Sequence, residues 1–155
     1  MIKIMPKKGD LLAVQAGHIV HGCNAQGVMG SGVAFAVKKK YPLAFDNYAF
    51  HHSTPEGLIL GNTYPFEINN KLVIWNAITQ EGYGPGTRQV SYDAIQTCFE
   101  QINFAIERGW YPEVPEEVHI PMIGAGLGGG NWAIISTIIE QTMDYPVTLW
   151  LLPTV

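Results

Sequence analysis

Val118-His119-Ile120-Pro121-Met122-Ile123-Gly124-Ala125-Gly126-Leu127-Gly128-Gly129-Gly130-Asn131 runs from an apolar stretch into five glycines within seven residues and ends on an asparagine. The apolar stretch, Val118 to Ile123, has the composition of a buried strand, and Asn131 can cap a helix whose Ile135, Ile138 and Ile139 share one face. An earlier stretch has the same plan. Ile19 to Cys23 is strand-like, Asn24 opens a turn, and Gly27-Val28-Met29-Gly30-Ser31-Gly32 leads into a helix over Val33 to Tyr41. In an open α/β sheet, ligands bind beyond the carboxyl ends of the strands, so two glycine-dense strand-to-helix loops are expected to face one cleft. Glycine permits positive φ and close backbone approach. Successive N–H groups and a helix N-terminus can then hold phosphate oxygens without basic side chains. The plainer alternative is that the first loop is only a tight turn and the second only a connector.

Outward from these loops the chain alternates short apolar runs with stretches of helical period, the pattern of a sheet covered by helices on both faces. Ile2 to Met5 is a strand candidate. Pro42 should end the first helix, and Leu43 to His52 should form another. Asn62 to Glu67 and Leu72 to Ala77 read as a hairpin across the turn-forming pair Asn69-Asn70. From Ser91, an N-cap, Ile95, Cys98, Phe99, Ile102 and Ile106 fall at helical spacing until Gly109. Pro112 to Glu117 connects that helix to the next strand, and Val147 to Leu152 is the last strand. No repeat or long linker divides the 155 residues, so a single domain over 1–155 is expected.

Apolar residues make up 47% of the chain, enough for one substantial core, while only 14% are charged and the formal net charge is -4. That balance lacks the broad positive footprint that an extended DNA or RNA backbone requires. Lys38-Lys39-Lys40, at the end of a helix, complements its dipole more readily than it grips a phosphate. Cys23 and Cys98 lie far apart with no Cys-x-x-Cys or His-x-x-x-His pairing, so neither a disulfide, a metal site nor a cofactor is expected. Met1-Ile2-Lys3-Ile4 opens no signal-peptide core, and no apolar run approaches the ~18 residues of a membrane span. The expectation is a soluble, cytoplasmic monomer that does not engage a membrane. The first loop lacks the Gly-Lys-Ser/Thr ending of a P-loop, and the second lies too late in the chain for the opening turn of a dinucleotide fold.

Gly9-Asp10-Leu11-Leu12, then His21 through Ala34, then Ile120 through Trp132 resemble, in order and spacing, the signature segments of macro domains over nearly the whole chain. That resemblance implies a three-layer α/β/α fold with a mixed central sheet and, as ligand, ADP-ribose or ADP-ribose 1″-phosphate. It implies that Asp10, with Leu11 beside it, accepts a hydrogen bond from the adenine amino group and that Leu152 forms part of the adenine wall. Asn24 would face the distal ribose, with Gly30, Ser31, Gly32 and Val33 near a terminal phosphate. Gly124, Ala125, Gly126, Leu127 and Gly128 would wrap the diphosphate. The alternatives are a turn carboxylate bonded to its own backbone for Asp10 and plain core packing for Leu152.

Within the family, the loop sequences look most like the branch that contains terminal ADP-ribose glycohydrolases and the antitoxins that strip ADP-ribose from DNA. That branch uses a lysine after the fourth strand and, in some members, an aspartate in the second loop. Here Gln80 or Glu81 stands in the lysine's place and Gly128 in the aspartate's. A glutamine cannot attack the sugar carbon. Gln80-x-x-Tyr83-Gly84 followed by Ser91-Tyr92-Asp93-Ala94-Ile95 resembles instead the macro proteins that process ADP-ribose 1″-phosphate, which implies a phosphatase. Phosphomonoester hydrolysis needs donors around the phosphate, an in-line nucleophile and a proton for the leaving oxygen. Asn24 and the amides of Gly30 to Gly32 are candidate donors. His21 is a candidate acid or base unless strand alternation turns it into the core. Gln80 could orient a water and Glu81 could act as base, unless both are merely solvated. Tyr83 could cover the distal ribose, whereas His51, His52 and His119 have no partner evident from sequence. Two rivals stand beside the phosphatase: an ADP-ribosyl hydrolase that activates water without lysine, and a reader that binds ADP-ribose without chemistry.

Overall fold

The computed structural model describes residues 1–84, 89–126 and 128–152. Its strands are β1 (Met5–Lys8), β2 (Gly17–Asn24), β3 (Thr63–Asn69), β4 (Leu72–Gln80), β5 (Val118–Ile120) and β6 (Val147–Leu151). They lie side by side in the order β1-β6-β5-β2-β4-β3. Every pairing is parallel except the β3–β4 hairpin, so the sheet is mixed. The helices are α1 (Gly32–Lys40), α2 (Pro42–Ser53), α3 (Tyr92–Glu107) and α4 (Trp132–Thr142), with a short 3-10 turn at Leu11–Ala13.

Strand alternation sorts the core into two layers. On one face Val20, Val73, Trp75, Ala77, Val118 and Ile120 meet the apolar stripes of α3 and α4, among them Ile95, Phe99, Ile102, Ile135 and Ile139. On the other, Ile19, Leu72 and Ile74 meet Val37 of α1, Ala44 of α2 and the 3-10 turn residues Leu11 and Leu12. The result is three layers, α/β/α. Leu72 through Thr79 are buried without a break, as befits a strand covered on both faces.

Several elements differ from the sequence expectation: β4 runs on past Ala77 to Gln80 and β3 continues to Asn69, so the hairpin turns at Asn70 and Lys71, and three further places stand out. The first strand is Met5–Lys8 rather than Ile2–Met5, and all four of its residues are exposed. It is an edge strand paired with β6 alone, which explains how Pro6 is tolerated and why no apolar run marks it. β5 stops at Ile120 rather than Ile123, because Pro121 has no N–H to donate and the chain turns as Ile123 N donates to Pro121 O at 2.8 Å. Pro42 follows the end of α1, as expected, but it also occupies the first turn of α2, where its missing N–H costs nothing.

The connections place the site. β2 and β5 are parallel neighbours, with Ile19 opposite His119. The chain leaves β2 for α1 on one face of the sheet and leaves β5 for α4 on the other. Neighbouring strands whose exits diverge to opposite faces open a crevice at their carboxyl ends, and both glycine loops border it.

Candidate functional site

The first loop is built around Asn24. The register against β4 shifts between Cys23 and Asn24, with Cys23 opposite Ile78 and Asn24 opposite Gln80, so Thr79 of β4 is the extra residue and Asn24 ends the strand. Asn24 Oδ1 then accepts from Gln26 N at 2.9 Å, and Asn24 Nδ2 donates to Val28 O at 2.9 Å. Tyr48 of α2, wholly buried, donates its hydroxyl to Asn24 O at 2.7 Å and lies 3.0 Å from Asn24 Oδ1. Burial pushes the Tyr48 hydroxyl pKa well above the usual range, so it stays a neutral donor. Gly27 has φ +80°, and a Cβ there would lie 2.7 Å from the His52 ring, so only glycine fits between β2 and the end of α2. Beyond it Gly30, Ser31 and Gly32 are exposed, and Val33 packs its side chain on the core. Ser31 makes no side-chain cap to α1, and the first-turn N–H groups of Gly32, Val33 and Ala34 have no partner among the described residues.

The second loop folds on itself. Gly130 N donates to Gly124 O at 2.7 Å, and Gly128 O accepts from Gln89 N at 2.8 Å and from Val90 N at 3.1 Å. A Cβ on Gly128 would stand 2.7 Å from Gly124 O, so no side chain fits there, whereas one on Gly126 would meet nothing within 4 Å. The N–H groups of Gly124, Gly126 and Gly128 have no partner among the described residues. Leu127, expected in the diphosphate loop, lies outside the described residues. α4 differs from α1, because Asn131 Oδ1 accepts from Ala133 N and Ile134 N and closes its N-terminus.

The segment after β4 ties the loops together. Glu81 O accepts from Ala25 N and from Gln26 Nε2, both at 3.1 Å, while Gln89 and Val90 hold Gly128 as above. Gln80 Nε2 donates to Gly82 O at 2.8 Å, and the Glu81 side chain is exposed. Tyr83 is exposed near this edge.

At the other end of the crevice Gly9 N donates to Leu151 O at 3.0 Å, which sets Asp10 beside the end of β6. Asp10 Oδ1 accepts from Leu12 N at 2.9 Å and caps the 3-10 turn, so the turn-carboxylate reading holds for that oxygen, while Oδ2 has no partner among the described residues. Leu152 is 65% exposed, which removes the core-packing alternative. The Leu11 side chain is buried with Ile19 and Val37, so any part of Leu11 in binding falls to its backbone.

His21 is a correction. It shares the α1/α2 face with Ile19 and Cys23, is wholly buried, and its Nε2 lies 2.7 Å from Asn76 Oδ1. Asn76 Nδ2 in turn donates to Ala44 O and Tyr64 O, both at 3.1 Å. Desolvation lowers the His21 pKa to about 4, so the ring is neutral, Nε2 donates to Asn76, and Nδ1 is buried 3.8 Å from Cys23 Sγ rather than facing the crevice. Asn76 and Tyr48 were not singled out from sequence, because each acts through a residue distant along the chain. The depressions of about 440 Å³ between β3 and α3, lined by Thr63, Phe104 and Trp110, and of about 450 Å³ beside Asn69 and Tyr41 lie away from these loops. Among the described residues no group of three His, Cys, Asp or Glu could hold a metal, and no helix is long and apolar enough to cross a membrane.

The family model described as Macro domain matches residues 20–139. Among curated proteins, the chain is 32% identical over 138 residues to an uncharacterised 17.5 kDa protein from the tk-vs intergenic region of Enterobacteria phage T4, covering 86% of this chain and 85% of that one. It is 41% identical over 66 residues to an ADP-ribose 1″-phosphate phosphatase of Neosartorya fischeri, a match spanning 42% of this chain and 32% of that protein. Among solved structures, a macrodomain protein from Streptomyces coelicolor superposes with a TM-score of 0.74 at 28% identity, covering 96% of this chain and 99% of that one.

Proposed function

The chain belongs to the macro domain family, and from that premise we propose that it binds ADP-ribose along the crevice between β2 and β5 and hydrolyses the terminal ester of ADP-ribose 1″-phosphate. The observation that carries this reading is a double rim of amides without a partner among the described residues, Gly32 to Ala34 on one side and Gly124, Gly126 and Gly128 on the other. N–H groups without a protein partner, partly shielded at Val33, Ala34 and Gly124 and buried at Gly128, are donors that a diphosphate with a distal phosphate could engage. Asp10 Oδ2 would take the adenine amino group, Leu152 would flank the base, and Asn24 would meet the distal ribose.

In the hydrolysis, water adds to phosphorus, the bond to the anomeric oxygen breaks, and that oxygen takes a proton, giving ADP-ribose and inorganic phosphate. The open N-terminus of α1 and the second Nδ2–H of Asn24 would stabilise the charge on the phosphoryl oxygens. The exposed Glu81 carboxylate would accept the proton of the attacking water. A covalent route is not supported. Gln80 is no nucleophile, and an aspartate at position 128 would collide with Gly124. The name of the fungal relative supports the phosphatase over part of the chain.

A second reading, an ADP-ribose reader without chemistry, draws on the burial of His21 and the tie of Gln80 to Gly82, which leave Glu81 as the one titratable group among those named for catalysis. Calorimetric titration with ADP-ribose, followed by a phosphate-release assay on ADP-ribose 1″-phosphate with the parent and Glu81→Gln, separates the readings. Binding with release that Glu81→Gln abolishes supports the phosphatase, binding without release supports the reader, and no binding refutes both.

A further inference from the structure

The first loop is assembled on a single hydroxyl that comes from outside it. Tyr48 is buried with no exposed surface, and its hydroxyl reaches both the backbone and side-chain oxygens of Asn24, at 2.7 and 3.0 Å. A buried hydroxyl is costly unless bonded, and the partners of this one, Asn24 and the backbone of Gly27 and Val28, all belong to the first loop. One helical turn further along α2, the His52 ring backs Gly27 of the same loop. A face of α2 with residues four apart is thus the support of the loop.

The consequence for Asn24 is a defined amide. Oδ1 must face donors, and it faces Gln26 N and shares the single Tyr48 hydroxyl proton with Asn24 O; Nδ2 must face an acceptor, and it faces Val28 O. With those bonds made the amide cannot flip. Its second Nδ2–H, which has no partner among the described residues, therefore points in one fixed direction on a half-buried residue at the crevice. We propose that Tyr48 is a positioning residue, acting through Asn24 to hold that N–H toward the distal ribose and its substituent. This rests on the reading that Asn24 faces the distal end of the ligand. Tyr48 touches no ligand itself.

The test compares ADP-ribose with ADP, which lacks the distal ribose, by calorimetry on the parent, Tyr48→Phe, Asn24→Ala and the double variant. Tyr48→Phe removes one oxygen and is expected to weaken ADP-ribose about fivefold to tenfold, the effect of one hydrogen bond, while leaving ADP within twofold. In the Asn24→Ala background it should add nothing. Equal losses for both ligands would reveal a merely structural tyrosine and overturn the proposal, as would an unchanged ADP-ribose affinity or additive effects. A parent that binds ADP as tightly as ADP-ribose refutes the distal contact itself and the proposal with it. Independently of any variant, the Asn24 side-chain amide resonances of the parent should shift on titration with ADP-ribose and not with ADP; the absence of that difference would also overturn it.

Discussion

Folding stability should fall by several kcal/mol between pH 6.5 and pH 4, with two interior histidines as the cause. His21 and His18 are both buried, and desolvation lowers each from 6.5 to about 4. His21 has Asn76 as partner and His18 accepts from Trp75 Nε1 at 3.0 Å, so both rings are held neutral in the fold. The unfolded chain binds a proton on each near pH 6.5, whereas the folded chain does so only near pH 4. Stability is therefore full above 6.5 and is lost as pH falls toward 4. One pKa unit corresponds to about 1.4 kcal/mol, so each histidine accounts for about 3 kcal/mol and the pair for about 6, a large part of the ~5–15 kcal/mol that holds a domain together. His119 is lowered as well and acts in the same direction. Urea unfolding midpoints measured in steps from pH 7 to pH 4.5 should give a slope of about two protons per unit near pH 5. His21→Gln keeps an N–H for Asn76 without a titrating ring, and it should cut that slope by about one proton while leaving ADP-ribose affinity unchanged. A flat profile, or a His21→Gln slope equal to the parent's, would refute the assignment of buried neutral histidines. A large loss of affinity in His21→Gln would refute its removal from the crevice.

The two glycines of the second loop should respond in opposite ways: Gly126→Glu should fold like the parent and bind ADP-ribose at least tenfold more weakly, because its side chain meets open space where the diphosphate would lie, whereas Gly128→Ala should lose about 2 kcal/mol or more to the clash with Gly124 O, read by thermal unfolding. Asp10→Ala should lose about 1 kcal/mol of stability with the cap to Leu12 and also weaken ADP-ribose by calorimetry, while Asp10→Asn should recover the stability. Gly27→Ala should cost about 1–2 kcal/mol by urea unfolding, and adding His52→Ala should recover only the part due to the ring contact, since φ +80° stays strained for alanine.

The layers and the two loops were legible in the sequence because their signals are local. Apolar spacing marked α3 and α4, the Ser91 and Asn131 caps formed as expected, and glycine density marked the strand exits. β1 was not legible, since all four of its residues are exposed and pairing with β6, not apolar content, makes it a strand. His21 shows the limit of counting along a strand. Alternation alone leaves two faces open, and it is the burial of Ile19, His21 and Cys23 beneath α1 and α2 that decides which one it takes. Tyr48 and Asn76 were invisible for a different reason. Each does its work through a bond to a residue 24 or 55 positions away, and no window of sequence contains both partners.

The geometry of Gly128 links fold to chemistry more tightly than composition could. Its carbonyl takes two N–H groups from the segment after β4, and its α-carbon is pressed against Gly124, so the loop closes only if position 128 has no side chain. In this closed loop the N–H groups of Gly124, Gly126 and Gly128 have no partner among the described residues. An aspartate there would reopen the ring and displace those donors. In this loop conformation a carboxylate at position 128 and the closed ring of backbone donors are mutually exclusive, so on the proposed reading the diphosphate would meet backbone rather than side chains here, and the proton acceptor of a hydrolysis would come from elsewhere, with Glu81 in the segment after β4 the candidate.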